Sequence, residues 1–132
     1  MLTGSCFCGD IRFRLTPPTE FVSHCHCQSC RRSHGAPLVT WTAVPRERFE
    51  LLSGQPRSYE SSPGIAWEFC PRCGTSLFYR SAQSAEKVYA VVANLDALDQ
   101  QPDCHVSFEE AVPWLDVGDT LPKFFGKTDT QL

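Results

Sequence analysis

Ile65-Ala66-Trp67-Glu68-Phe69-Cys70-Pro71-Arg72-Cys73-Gly74-Thr75-Ser76-Leu77-Phe78-Tyr79 sets two short apolar runs on either side of a Cys-x-x-Cys-Gly turn. The runs Ile65 to Phe69 and Leu77 to Tyr79 carry the aromatic and branched residues that favour strands. Between them, cysteines at i and i+3 can wrap two sulfurs around one metal ion, and Gly74 lets the backbone turn back beneath it. The stretch therefore predicts two short strands separated by half of a tetrahedral metal site.

Working outward, the same pattern of short strands cut by turn residues continues. Ile11, Phe13 and Leu15 alternate with Arg12 and Arg14, the mark of a half-buried strand, and Pro17-Pro18 stops it. Leu38 to Val44 (LVTWTAV) is closed by Pro45, and further strands are expected over Phe49 to Leu52, Arg57 to Glu60 and Val88 to Ala93. Helix is expected only in short pieces, Gln28 to Ser33 and Leu95 to Leu98. Ten prolines agree with this, because each removes a backbone donor. The spacing fits a mainly β chain: a sandwich, a barrel or a set of curved sheets.

The other half of the metal site is Cys6-Phe7-Cys8-Gly9. In an extended segment residues i and i+2 project to one face, so Cys6 and Cys8 present two thiolates side by side. With Cys70 and Cys73 they make a closed four-cysteine site, read here as a structural zinc, tying the start of the chain to its middle across a long loop. Independent buried thiols are the competing reading.

A third group, Cys25-His26-Cys27-Gln28-Ser29-Cys30, places three cysteines within six residues. Three thiolates leave a tetrahedral ion one position, and an open position separates catalytic from structural zinc. Cys104 or a histidine brought in by the fold would instead close the site. His26, and His24 with it, faces away from such a metal if the segment is extended; His34 and His105 can approach only through the fold. Three thiolates on Zn²⁺ leave a net negative charge, which weakens water activation and favours handling of another thiolate. Arg31 and Arg32 follow Cys30 directly. They would offset that charge and attract an anionic thiol, or serve as solvated surface arginines.

The chain has 132 residues, 8 of them Cys, enough for one modest domain spanning 1–132. No basic or long apolar segment opens it, and the longest apolar run, Val88 to Ala93, is far below the roughly 20 residues a membrane helix needs. A cytoplasmic, non-membrane protein with reduced thiols is the expectation, which turns the cysteines from disulfides to metal. A net charge of −3 argues against nucleic-acid binding. The total hides an asymmetry: all nine Arg lie within 1–80, whereas 81–132 holds three Lys against nine acidic residues.

At these residues the chain resembles the glutathione-dependent formaldehyde-activating enzymes, a family that also includes the centromere protein V domain. The matching elements are Gly4-Ser5-Cys6-x-Cys8-Gly9, His24-Cys25-His26-Cys27-x-x-Cys30-Arg31 with His34-Gly35, and Phe69-Cys70-x-x-Cys73-Gly74-Thr75, followed by His105-Val106 and Trp114. The resemblance implies several curved antiparallel sheets in an Mss4-like β-tent with two zinc ions per chain. It puts the structural zinc on Cys6, Cys8, Cys70 and Cys73 and the functional zinc on Cys25, Cys27 and Cys30, and leaves Cys104 a free thiol. The implied activity is a carbon–sulfur lyase reaction, the reversible condensation of glutathione with formaldehyde to S-hydroxymethylglutathione. His26 or His34 would carry protons. The alternative is a zinc-stabilised binding module that recognises a protein or a small thiol without turnover, anchored by Trp41, Trp67 or Trp114 where these are exposed.

Overall fold

The computed structural model describes residues 1–127 and the backbone of residues 130–131. In chain order the strands are β1 (Leu2–Ser5), β2 (Arg12–Leu15), β3 (Val22–Cys25), β4 (Val39–Pro45), β5 (Phe49–Ser53), β6 (Arg57–Ser62), β7 (Ile65–Phe69), β8 (Ser76–Ser81), β9 (Lys87–Val91), β10 (Cys104–Val106), β11 (Phe124–Phe125) and β12 (Thr130–Gln131). One α-helix, α1 (Gln28–His34), occurs among the described residues. None is long and apolar enough to cross a membrane.

The strands form three sheets: β1-β2-β5, the seven-stranded β10-β3-β4-β9-β8-β7-β6, and the β11-β12 pair. Alternation along the strands of the large sheet gives it two different faces. On one face Val44, Phe78, Val88 and Ala90, with Leu77 at a bulge in the β7–β8 pairing, pack against Phe13 and Leu15 of the small sheet and Ile11 just before β2, forming the main core. The Phe13 and Phe78 rings meet edge to face at 4.9 Å between centroids. On the other face Val39, Trp41 and Val91 gather with Phe21, Trp67, Tyr79 and Tyr89 around Cys25, Cys27 and Cys30. Burying aromatic surface on both sides fixes the register, because a one-residue slip would exchange the two cores.

The expected mainly β fold of several sheets is what the structure has, with two local departures. First, the strand pairings are antiparallel except β10 on β3, which is parallel with Cys104 opposite Ser23 and Val106 opposite Cys25. Second, Leu95 to Leu98 is not helical. A 3₁₀ turn occupies Val92–Asn94, absorbing the end of the expected Val88–Ala93 strand. Leu95 then bridges to Gly4, and the Asp96 N–H donates to the Thr3 carbonyl at 2.8 Å. Pairing with β1 and burial of Leu95 against the main core outweigh the weak helical preference of four residues.

The expected Gln28–Ser33 helix is present as α1, one residue longer. The Cys27 sulfur caps its start by accepting from the Cys30 N–H at 3.3 Å. Gly35, with φ of 61°, ends it in the left-handed conformation that a side chain would disfavour, and its N–H returns to the Arg31 carbonyl.

Candidate metal centres

Cys6 and Cys8 lie in the turn between β1 and β2, and Cys70 and Cys73 in the turn between β7 and β8. Backbone bonds shape both turns: Cys6 N–H to Ile11 O at 3.0 Å, and Gly74 N–H to Cys70 O at 2.9 Å. Gly74 holds a φ of 82° there, so the chain reverses without a side chain in the way. The four sulfurs lie within 4.8 Å of one another. Cys6 is 3.6 Å from Cys8, and Cys8 is 3.8 Å from Cys70. A tetrahedron with metal–sulfur bonds of about 2.3 Å has edges of about 3.8 Å, so this donor set fits one zinc-sized ion. Cys6 and Cys70 are buried at the edge of the main core, which joins the site directly to the fold.

Thr75 ties the two ligand turns together, a role its place in the motif did not disclose. Its hydroxyl oxygen accepts from the Phe7 N–H at 3.0 Å and lies 3.1 Å from the Cys73 sulfur. The Thr75 hydroxyl, followed by its N–H, pulls the Cys73 thiol down to about 5. In Cys6, burial pushes the thiol up but the Ile11 N–H, at 3.3 Å, brings it below the ordinary range. Both effects favour the thiolate form that a metal needs.

The second group needs no long-range closure. β3 ends at Cys25, the chain turns through His26 and Cys27, and α1 carries Cys30. The Cys25 and Cys30 sulfurs are 3.5 Å apart, and all three lie within 4.8 Å of one another. Hydrogen bonds from Cys25 and Cys30 hold the Cys27 thiol far below its usual range, while the contact with Cys27 pushes Cys25 up to about 11. Among the described residues neither Cys104 nor any histidine joins these three sulfurs. Cys104 is buried in β10, where burial and the neighbouring Asp103 push its thiol up to about 12.

The histidines divide between the two faces of β3. His24, His26 and His105 form a cluster away from the sulfurs, with ring centroids 4.9 Å and 5.0 Å from His105. His26 is 1% exposed, and its Nε2 lies 2.8 Å from His105 Nδ1, so the structure does not bring His26 to the thiols. Desolvation first, and then His105, drives its pKa down to about 4. His34 is on the thiol side. Its Nδ1 lies 2.9 Å from the Cys30 carbonyl and 2.8 Å from the Ser33 hydroxyl, which itself donates to that carbonyl; a proton on Nδ1 leaves the buried, unpartnered Nε2 a bare lone pair and spares an orphaned donor there. The His34 ring stands edge-on to Trp41 at 5.4 Å and to Trp67 at 6.2 Å.

Arg31 and Arg32 also part company. Arg31 Nε donates to the His26 carbonyl at 3.2 Å, clasping the ligand turn. Arg32 lines a groove of about 640 Å³ between α1 and the β6–β7 hairpin, together with Ser29, His34, Tyr59, Trp67 and Ser76. Of the three tryptophans, Trp41 is buried beneath the thiols, Trp67 is half-buried in the groove wall, and Trp114 is exposed.

Residues 1–110, which hold both cysteine clusters, match the glutathione-dependent formaldehyde-activating enzyme family. This chain is a member of that family. As such it is related to enzymes that are carbon–sulfur lyases. It is 26% identical over 128 residues to a Halomonas elongata protein provisionally named a glutathione-dependent formaldehyde-activating enzyme, covering 89% of this chain and 81% of that one. It is 24% identical over 113 residues to an uncharacterized lyase of Schizosaccharomyces pombe, covering 77% and 82%. A solved Rhodobacter sphaeroides protein shares the fold with a TM-score of 0.62 at 20% identity, over 74% of this chain and 90% of that one.

Proposed function

We propose that this family member acts, as a single domain, as a zinc-dependent lyase condensing glutathione with formaldehyde to S-hydroxymethylglutathione. What supports the reading is the convergence of Cys25, Cys27 and Cys30 beside an aromatic wall, with no fourth protein ligand among the described residues; a groove large enough for a small peptide runs along the helix that carries Cys30. In this reading Cys6, Cys8, Cys70 and Cys73 hold a closed structural zinc, and the three-thiol group holds a second ion. Zinc bound by three thiolates supplies a soft position at which a further thiol is acidified.

The chain's own residues bind, orient and dry the reactants. Arg32 offers a planar cation to a carboxylate of the thiol peptide lying in the groove. Arg31, committed to the His26 carbonyl, holds the ligand turn. Trp41, Trp67 and Tyr79 keep water from the thiol face, so the nucleophile is not stabilised by solvent before it attacks. The carbon–sulfur bond forms as the thiolate sulfur adds to the aldehyde carbon, and the carbonyl oxygen takes up the proton that the thiol gave away. We assign that transfer to His34, a residue of the groove wall whose buried Nε2 has no protein partner; His26 is on the opposite face.

The test is metal stoichiometry with and without glutathione, followed by turnover on the same sample. Two equivalents of zinc and acceleration over the spontaneous addition are expected. Reduced, metal-replete protein that gives no acceleration sinks the lyase and leaves the binding module.

A further inference from the structure

The segment after β10 runs away from the main core and returns, and its two ends are fastened to each other. The Ser107 N–H donates to the Gly126 carbonyl at 2.6 Å, and the Gly126 N–H returns a bond to Glu109 at 3.1 Å. The His105 N–H donates to the Pro122 carbonyl at 2.9 Å, adding a third tie. Ser107 takes a φ of 51°, a strained choice for a residue with a side chain, to start this return. Residues 107–126 are therefore a strap with a defined seat rather than a trailing end.

The strap delivers one carboxylate to the three-thiol segment and a second to His105 of β10. Glu110 Oε1 accepts from the Gln28 N–H at 2.9 Å, at the first residue of α1 and directly after Cys27. Asp119 accepts from His105 Nε2, with its oxygens at 2.9 and 3.0 Å. His105, 1% exposed, passes the contact to His26 through 2.8 Å between His105 Nδ1 and His26 Nε2. His26 is the residue between two of the three cysteines. Its own backbone is held at both ends, the N–H by the Val106 carbonyl at 3.1 Å and the carbonyl by Arg31 at 3.2 Å.

Proton placement follows from the chemistry of the end group. A carboxylate only accepts, so His105 Nε2 carries a proton. With one proton per ring, His105 Nδ1 is a lone pair and accepts from His26 Nε2–H. His26 Nδ1 is then a bare lone pair, which agrees with its burial among the described residues without a protein partner. An N–H at that atom would be an orphaned buried donor, the costlier arrangement.

We propose that Asp119 is a positioning residue for the three-thiol site: through His105 it fixes the tautomer and orientation of the His26 ring, and with it the peptide that spaces Cys25 from Cys27. Asp119 lies beyond residues 1–110, the part that matches the family. The second readout below rests on the metal reading of Cys25, Cys27 and Cys30; the first does not.

Zinc-loaded parent chain, Asp119→Ala and Asp119→Asn are compared by imidazole nitrogen NMR and by competition with a chelator at each metal site. In the parent, His26 and His105 are both expected as the Nε2–H tautomer. In Asp119→Ala the tautomer preference of both rings is expected to be lost, and the three-thiol site to bind zinc about tenfold or more weakly, with the four-thiol site unchanged. Asp119→Asn keeps an acceptor oxygen and should stay within about threefold of the parent. Ring spectra that do not change in Asp119→Ala overturn the proposal, as does an equal loss at both metal sites, which is general destabilisation. Should the Ala variant not fold, the parent and Asn spectra decide: Nε2–H tautomers on both rings in the parent, kept in Asp119→Asn with its three-thiol affinity, support positioning, and an Nδ1–H tautomer on either ring of the parent overturns it. A parent that binds a single zinc sinks the metal reading, while the ring spectra still decide the role of Asp119.

Discussion

The two cysteine groups differ in what brings them together. The four-thiol group draws two sulfurs from the β1–β2 turn and two from the β7–β8 turn, and Cys6 and Cys70 belong to the main core. It cannot assemble unless the small sheet packs on the large one, so a metal held there would be coupled to folding. The three-thiol group comes from one turn and the helix it starts, on the opposite face of the large sheet. Long-range structure does not gather these sulfurs; it supplies their surroundings, with Arg31, Glu110 and the His26–His105–Asp119 chain holding the turn in place. A site built across the fold suits stability, whereas a locally built one can lose or exchange a ligand without unfolding the chain.

The largest effect expected from this contrast is a split among cysteine variants. Cys6→Ser or Cys73→Ser should remove most of the net stability, on the order of 5 kcal/mol or more, and yield chain without dispersed amide NMR signals. Cys27→Ser should stay folded, lack one metal equivalent and lose turnover by about a hundredfold or more. Equal unfolding by all three breaks the comparison. Graded chelation, followed by metal analysis and circular dichroism together, should remove the three-thiol metal first, with the fold retained until the second metal leaves. Simultaneous loss of both would show that the sites are not independent.

A smaller effect separates the two arginines. Arg32→Ala should raise KM for glutathione by about tenfold with little change in kcat, as expected for a lost charge-assisted bond. Arg31→Ala should instead weaken retention of the second metal, and steady-state kinetics beside metal competition distinguishes the two. The smallest effect concerns the Thr19–Asp99 contact. Although burial pushes Asp99 up, bonds from the Thr19 N–H and hydroxyl, at 2.9 and 2.7 Å, hold it below the usual carboxylate range. Its stabilisation is therefore full above the unfolded carboxylate pKa and is lost as pH falls through the lower folded value. Solvent exposure keeps it under about 1 kcal/mol. Asp99→Asn should flatten the acid limb of a thermal melting curve relative to parent at equal metal content. A limb that does not change removes Asp99 from the acid response.

Much of this was legible in the residues, and particular elements show where legibility ended. The alternation of Ile11, Phe13 and Leu15 is legible because one face of β2 is buried and the other is not, and the Leu38 to Val44 run because β4 is buried on both faces. β10 did not, because three residues held by a parallel neighbour from near the start of the chain carry no periodicity of their own. Leu95 departs from the expected helix for a related reason: its conformation answers to Gly4 and not to its neighbours. In the thiol site, Cys25, Cys27 and Cys30 were readable from spacing, as was the outward turn of His26. Thr75, Glu110 and Asp119 were not, since a lone hydroxyl or carboxylate gives no sign of which distant loop it will meet.

The sequence by itself determined which side chains can hold metal, how they divide into four, three and one, and that the chain would be built from short strands. Those are properties of residue type and of spacing within single turns, which backbone geometry converts directly into direction. Only the tertiary structure decided which of the remaining polar groups serve the two sites. It set Arg31 on a carbonyl and Arg32 in a groove, and joined Asp119 to His26 through His105. Such partners are selected by the packing of two sheets and the return of a strap, where proximity depends on the whole core rather than on any neighbour in the chain.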